Sequence, residues 1–284
     1  MRTEDAASRA LTPALIRAVG LSKSYAQRTP FSRKRFLVDA LRDVELEVAP
    51  ATLTALVGES GSGKSTLARC MAALEKPDHG EIWFEGQEIS RASSGELAGL
   101  RSRIQMVHQD SAGALNPRFT AAQIIAEPLE IQRRENGQGL RSRVCELMEE
   151  VGLPASWVDR HPLEFSGGQR QRLAIARAIA LKPAFLIFDE SLSGLDLSTQ
   201  AQILNLLLDL QKAHSLTYLL ISHDLSLVGQ IADSVAVMYR GRIVERGARQ
   251  DIFADPRHPH TRELLGSVRL AESAFRTAQA GGLQ

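Results

Sequence analysis

Leu53-Thr54-Ala55-Leu56-Val57, followed at once by Gly58-Glu59-Ser60-Gly61-Ser62-Gly63-Lys64-Ser65, is the stretch that decides the fold. An uninterrupted apolar run closed by glycine suits a parallel strand buried on both faces. The glycines allow the backbone to wrap round an anion with its N–H groups pointing inward, a turn that side chains would obstruct. After the loop, Ser65 to Leu74 reads as a helix with Leu67, Met71 and Leu74 on one face, its N-terminus presented to the anion. The pattern matches the phosphate loop in full, so residues 58–65 and Thr66 are expected to hold the phosphates of a nucleotide such as ATP. Lys64 would neutralise β and γ oxygens, and the Ser65 hydroxyl would ligate magnesium. The loop alone leaves a kinase, a GTPase and an ATPase open.

Upstream, Leu15 to Val19 and Val44 to Val48 read as strands, and Glu81 to Ile89 reads as a hairpin about Glu85 and Gly86. These predict an antiparallel sheet beside the main one. From Thr120 to Leu153 the period turns helical, with Ile124, Ile125, Leu129 and Ile131, then Val144, Leu147, Met148 and Val151. Arg170 to Leu181 is a further helix closed by Pro183, and Ala184 to Phe188 is a second buried strand. Strand and helix then alternate to Arg246, which favours a parallel sheet with helices on its faces. The expected fold is α/β, a P-loop NTPase core with a mainly parallel sheet, an antiparallel β subdomain and an inserted α-helical subdomain. The expected domain runs over 14–268, its helical part over about 115–178, and the Ala- and Gly-rich tail 269–284 is expected to be poorly ordered.

Composition narrows the class. With 284 residues, 44% of them hydrophobic, the chain builds a core that needs no disulfide or metal staple. Cys70 and Cys145 stand in no CxxC pair, which excludes a disulfide framework and zinc spacing and suits a reducing cytoplasm. Basic and acidic residues number 34 and 33, a balance that argues against a broad nucleic-acid surface. Residues 1–13 lack the apolar core of a secretory signal, and the longest apolar runs fall short of the roughly 20 residues that span a bilayer. If the protein serves a membrane, other subunits must cross it.

Phe165-Ser166-Gly167-Gly168-Gln169 stands immediately ahead of the Arg170 helix, and the run Phe185-Leu186-Ile187-Phe188 ends in Asp189-Glu190. On a strand, neighbouring side chains point to opposite faces, so the two carboxylates are free to take different tasks. With the phosphate loop upstream, this set resembles the ATP-binding cassette (ABC) family. The resemblance implies that Ser166, Gly167, Gly168 and Gln169 form the signature that caps a nucleotide held by a partner subunit. It implies that Asp189 holds magnesium and that Glu190 acts as general base. Gln109, after the strand-like Ile104 to Val107, matches the glutamine that senses magnesium and the γ-phosphate. Asp196, in Ser193-Gly194-Leu195-Asp196, matches the D-loop of the dimer interface, and His223 matches the switch histidine on the γ-phosphate. Tyr25 matches the aromatic that stacks on adenine. These elements recur in family order from about Leu15 to Val268.

Three segments point to a branch. Extra residues between Tyr25 and Val44 carry Pro30 and Arg33-Lys34-Arg35; Gln109-Asp110 is followed by Ala114-Leu115-Asn116-Pro117-Arg118; and Phe253 to Thr261 reads FADPRHPHT. Together they resemble the ATPase subunits of bacterial peptide and nickel importers. The resemblance implies a second ATPase subunit, identical or paralogous, two transmembrane permease subunits, a solute-binding protein as indirect partner, and a place on the cytoplasmic face of the plasma membrane. The alternative is an ATPase subunit of a soluble complex of the phosphonate-cleaving type. Departures from the family pattern are Phe165 for Leu, His108 for Phe, Ser191-Leu192 for Pro-Thr and His260 for Tyr. No cysteine follows Cys145, so no C-terminal iron–sulfur cluster is expected.

Overall fold

The structure is a computed structural model and describes residues 14–28, 35–108, 113, 115–132 and 137–266. Gln109, Asp110, Ala114, Pro30, Arg33, Lys34 and the tail 269–284 lie outside the described residues.

Two sheets share one interior. The larger has six strands: β3 (Leu53–Val57), β6 (Ile104–Val107), β7 (Phe185–Asp189), β8 (Thr217–Ile221), β9 (Ser234–Tyr239) and β10 (Arg242–Ala248), in the order β10-β9-β3-β8-β7-β6. All neighbours are parallel except β9 and β10. The smaller sheet is antiparallel, with β1 (Ile16–Arg28) between β2 (Arg35–Val48) and β4 (His79–Phe84), and the short β5 (Gln87–Glu88) beyond β4.

Every residue of β3, β7 and β8 is buried, which is why none of these runs alternates. Both faces are covered by different layers. Leu56, Phe185, Ile187, Leu219 and Ile221 pack with Leu67 and Met71 of α1 (Lys64–Met71) and with Ile16, Leu46, Ile82 and Phe84 of the antiparallel sheet. Ala55, Val57, Leu186, Phe188, Tyr218 and Leu220 pack on the opposite face with α3 (Ala121–Ile131), α4 (Gly137–Glu150), α5 (Gly167–Ile179) and α6 (Leu197–His214). α2 (Ser94–Arg103) leads into β6, and α7 (Leu225–Ile231) and α8 (Arg249–Ala254) follow β8 and β10. Tyr218 shows how a polar tip is accommodated: its hydroxyl donates to the Leu207 carbonyl at 3.0 Å and its ring meets Phe188 edge-on at 5.4 Å.

Several boundaries differ from the sequence reading; the strand read as Val44 to Val48 begins at Arg35, and the helix read to Leu181 ends at Ile179. The helix read as Ser65 to Leu74 stops at Met71, because Ala73 takes a left-handed φ of 53°, and Leu74 is 51% exposed rather than on the buried face. The helix read from Arg170 begins at Gly167, because Ser166 and Gln169 form a reciprocal capping box. The strand read as Leu15 to Val19 runs on to Arg28, paired with β2 over a register interrupted by bulges, so Tyr25 sits inside a long ribbon opposite Val38.

Candidate functional site

The phosphate loop leaves β3 at the carboxyl edge of the parallel sheet, where ligands of open α/β sheets bind. Gly58 and Gly63 are required by both φ and space. At φ 151° and 111°, a Cβ on Gly58 would lie 2.1 Å from the Met238 carbonyl oxygen, and one on Gly63 2.3 Å from that of Ala40. Gly63 is also the N-cap of α1, and no side chain caps it, so the first N–H groups of the helix are left for an anion.

Lys64 lies across the loop. Its Nζ donates to the carbonyls of Gly58 and Glu59, both at 2.8 Å, and stands 3.9 Å from a carboxylate oxygen of Glu190. Burial holds its pKa below the usual lysine value, against the opposing pull of Glu190, Asp189 and Glu59. An ammonium 5% exposed, held by two neutral carbonyls and one distant carboxylate, fits a phosphate oxygen in their place.

Next to it the Ser65 hydroxyl donates to Asp189 Oδ1 at 2.9 Å. The Asp189 carboxyl is pushed above the ordinary aspartate range by burial and by the charge of Glu190, while the Ser65 bond opposes the shift. A hydroxyl and a partly buried carboxylate side by side form a hard-oxygen donor set that fits magnesium shared with phosphates.

Glu190 is not placed by strand alternation. β7 ends at Asp189, and Glu190 takes φ 47°, left-handed for a residue with a Cβ, at a cost of about 1 kcal/mol. Its N–H still donates to the Ile221 carbonyl at 3.1 Å, and its own carbonyl accepts from the Ser193 N–H and hydroxyl at 3.2 and 2.8 Å. The corner turns the carboxylate to within 3.9 Å of Lys64. The exposed His223, on the loop after β8, lines one small cavity with Glu190, Ser193, Gln200 and Asp224. Gln109 lies outside the described residues, but β6, which it follows, runs parallel to β7 with Val107 opposite Phe188.

Ser166 and Gln169 are grouped elsewhere. Ser166 N–H donates to Gln169 Oε1 at 2.9 Å and its hydroxyl accepts from the Gln169 N–H at 3.3 Å. A Cβ on Gly168 would come 2.4 Å from Thr199 Cγ2, so the start of α5 packs directly on the start of α6. There Asp196 is the N-cap, accepting from the Thr199 N–H at 2.9 Å and hydroxyl at 2.7 Å. Among the described residues no hydrogen bond or ion pair joins 166–169 to 58–66. Tyr25 donates its hydroxyl to Glu75 at 2.6 Å, just past α1, with its ring half-buried.

The sequence reading missed the support beneath the loop. The β9–β10 hairpin turns at Arg240-Gly241, both at positive φ as a two-residue type I′ turn requires. Gly241 N–H donates to the Ser62 carbonyl at 2.9 Å, and the Gly241 carbonyl accepts from the Arg42 N–H at 2.8 Å. An Arg-Gly pair between alternating runs was the available signal.

A phosphate loop, a hydroxyl–carboxylate pair at the adjacent helix and strand, and a second acid turned toward the loop lysine define a nucleoside triphosphatase of the P-loop class. A family profile described as ABC transporter matches residues 41–193. The dipeptide transport ATP-binding protein DppF of Haemophilus influenzae is 44% identical over 254 residues, 89% of this chain and 78% of that protein. The glutathione import ATP-binding protein GsiA of Escherichia coli is 47% identical over 242 residues, 85% of this chain but 39% of GsiA. Among solved structures, the dimeric post-hydrolysis state of the ATP-binding cassette MJ0796 bound to ADP and Pi aligns with TM-score 0.73 and 26% identity over 82% of this chain and 98% of that one. CbiO1 from Clostridium perfringens, part of the ABC transporter complex cbiONQ, aligns with TM-score 0.74 and 27% identity over 86% and 92%. The chain belongs to the ABC transporter family, as an ATP-binding subunit that hydrolyses ATP. No helix among the described residues is long and apolar enough to cross a membrane.

Proposed function

We propose that this chain energises the import of short peptides, working as one of two cassettes beneath a pair of transmembrane permease subunits. The observation that carries the reading is the meeting of Lys64, Ser65, Asp189 and Glu190 at one edge of the sheet. The named relatives, a dipeptide and a glutathione importer subunit, favour small peptides over nickel as cargo. Attachment at the cytoplasmic face of the plasma membrane follows from permease partners.

Residues 58–66 hold the phosphates, the Lys64 ammonium exchanging its carbonyl partners for β and γ oxygens. Tyr25 stacks on adenine. Glu190 accepts a proton from water as the water oxygen bonds to the γ-phosphorus and the bond to the β–γ bridging oxygen breaks, leaving ADP and phosphate. His223 and Gln109 contact the γ-phosphate, and Ser65, Asp189 and Gln109 hold magnesium. When bound, the metal neutralises charge that develops on the transferred phosphoryl group. Ser166 to Gln169, remote in bonding from the loop of their own chain, cap the nucleotide of the second cassette, and Asp196 lies at that interface.

Glu190→Gln tests the assignment: binding of ATP persists, turnover falls at least 100-fold, and paired subunits accumulate on a sizing column. Retention of wild-type turnover would sink the role given to Glu190. Copurification with integral membrane subunits tests the transport reading against a soluble assembly.

A further inference from the structure

The β9–β10 hairpin that carries the phosphate loop is itself held from behind. Met238 occupies the space beside Gly58, and Gly241 bonds Ser62, so the backbone of the loop rests on residues 238–241. On the other side, the Glu245 carboxylate of β10 accepts the N–H groups of Arg257 and His258 at 2.7 and 3.0 Å. Arg262 donates back to the carbonyls of Pro256 and Arg257, both at 2.9 Å, and His260 N–H donates to His258 Nδ1 at 3.2 Å. This closed turn delivers the His260 ring against Tyr239, centroids 4.0 Å apart and planes 33° from parallel. His260 is 6% exposed, and its buried Nε2 has no hydrogen-bond partner among the described residues. Its Nδ1 stands 4.0 Å from a carboxylate oxygen of the exposed Glu263, so what meets Tyr239 is the ring surface and neither nitrogen.

We propose that the segment 255–266 is a brace for the phosphate loop, with His260, Tyr239 and Glu245 as positioning residues that set the ATP-binding conformation through the hairpin tip. The proposal rests on the reading of residues 58–66 as the ATP site. A braced loop is preorganised; an unbraced one must be ordered when nucleotide arrives, which weakens binding and leaves the chemical step alone.

The full-length chain is titrated with a fluorescent ATP analogue, and its KM for ATP, kcat and thermal midpoint are measured. His260→Ala weakens nucleotide binding about 2- to 10-fold and raises KM in parallel, with kcat little altered. His260→Phe, which keeps a ring and drops both nitrogens, restores wild-type binding. Val144→Ala, in the helical layer, lowers the thermal midpoint without altering affinity. Wild-type affinity in His260→Ala, or failure of His260→Phe to rescue, overturns the brace; should His260→Ala not fold, His260→Leu puts the same question at closer volume. If the wild-type chain does not bind nucleotide, or Lys64→Ala binds it equally well, the phosphate-loop reading falls and takes the brace with it. Loss at residue 260 alone is thus told apart from loss of the site.

Discussion

Asp189 and Lys64 are both groups whose charged form burial disfavours. Burial raises the carboxyl and lowers the ammonium, so both charges are carried at a cost that a phosphate and a cation would relieve. The sign gives a test. A carboxyl whose folded pKa lies above its unfolded value destabilises the folded chain once the pH exceeds the unfolded value. Asp189→Asn, which still accepts from Ser65, should raise the thermal midpoint of the nucleotide-free protein at neutral pH while lowering ATP turnover by at least 100-fold; calorimetry and phosphate release report the two. A lower midpoint would show that the charge stabilises the site. Gly63→Ala should act oppositely, since its Cβ meets backbone at Ala40: we expect nucleotide binding lost at least tenfold by titration.

Between elements, contact of α5 with α6 ties the proposed signature at Ser166 to Gln169 to the proposed D-loop at Asp196. Gly168 leaves no room for a methyl because Thr199 Cγ2 fills its place. Gly168→Ala should push the two helix starts apart and lower turnover about tenfold with ATP affinity unchanged. Thr199→Ser removes the offending methyl and keeps the hydroxyl that Asp196 accepts, so the double variant should recover activity; no recovery would refute the steric account. The antiparallel sheet has its own anchor in Asp78, which accepts the Ser24 N–H at 2.7 Å and Lys23 Nζ at 3.0 Å. The Ser24 bond, with Lys23, holds its carboxyl below the usual range. Stability from this group is full above the unfolded value near pH 4 and is lost as the pH falls through the folded one. Thermal midpoints of the wild-type chain and Asp78→Asn should therefore differ at neutral pH and converge in acid, as the pH falls through the depressed folded value.

For the whole molecule, the proposed second cassette is supported by the absence, among the described residues, of any hydrogen bond or ion pair between 166–169 and 58–66. ATP should pair Glu190→Gln subunits with themselves or with a paralogue, and light scattering that finds only monomers for both would exclude the capping arrangement. The hydrophobic runs Leu53 to Val57, Ala184 to Phe188 and Tyr218 to Ile221 were enough to read a parallel sheet, within one residue of the strands observed. Ends of elements were less legible. Ala73 and Glu190 take left-handed conformations that their residue types do not announce: Ala73 closes α1, where the Leu74 N–H returns to the Arg69 carbonyl, and Glu190 turns the corner after β7 between bonds to Ile221 and Ser193. The hairpin support of the loop was hidden for a related reason: Gly241 and Ser62 are far apart in sequence, and no local pattern records a bond between them.

By itself the sequence determined the class of fold and the chemical character of the site, since burial period, glycine placement and the order of charged residues are local properties written along the chain. Only the tertiary structure decided which groups face one another: that Glu190 turns toward Lys64, that Gly168 seats on Thr199, and that the C-terminal turn reaches Tyr239. Such pairings depend on strand order and on packing between layers, which no short window of residues contains.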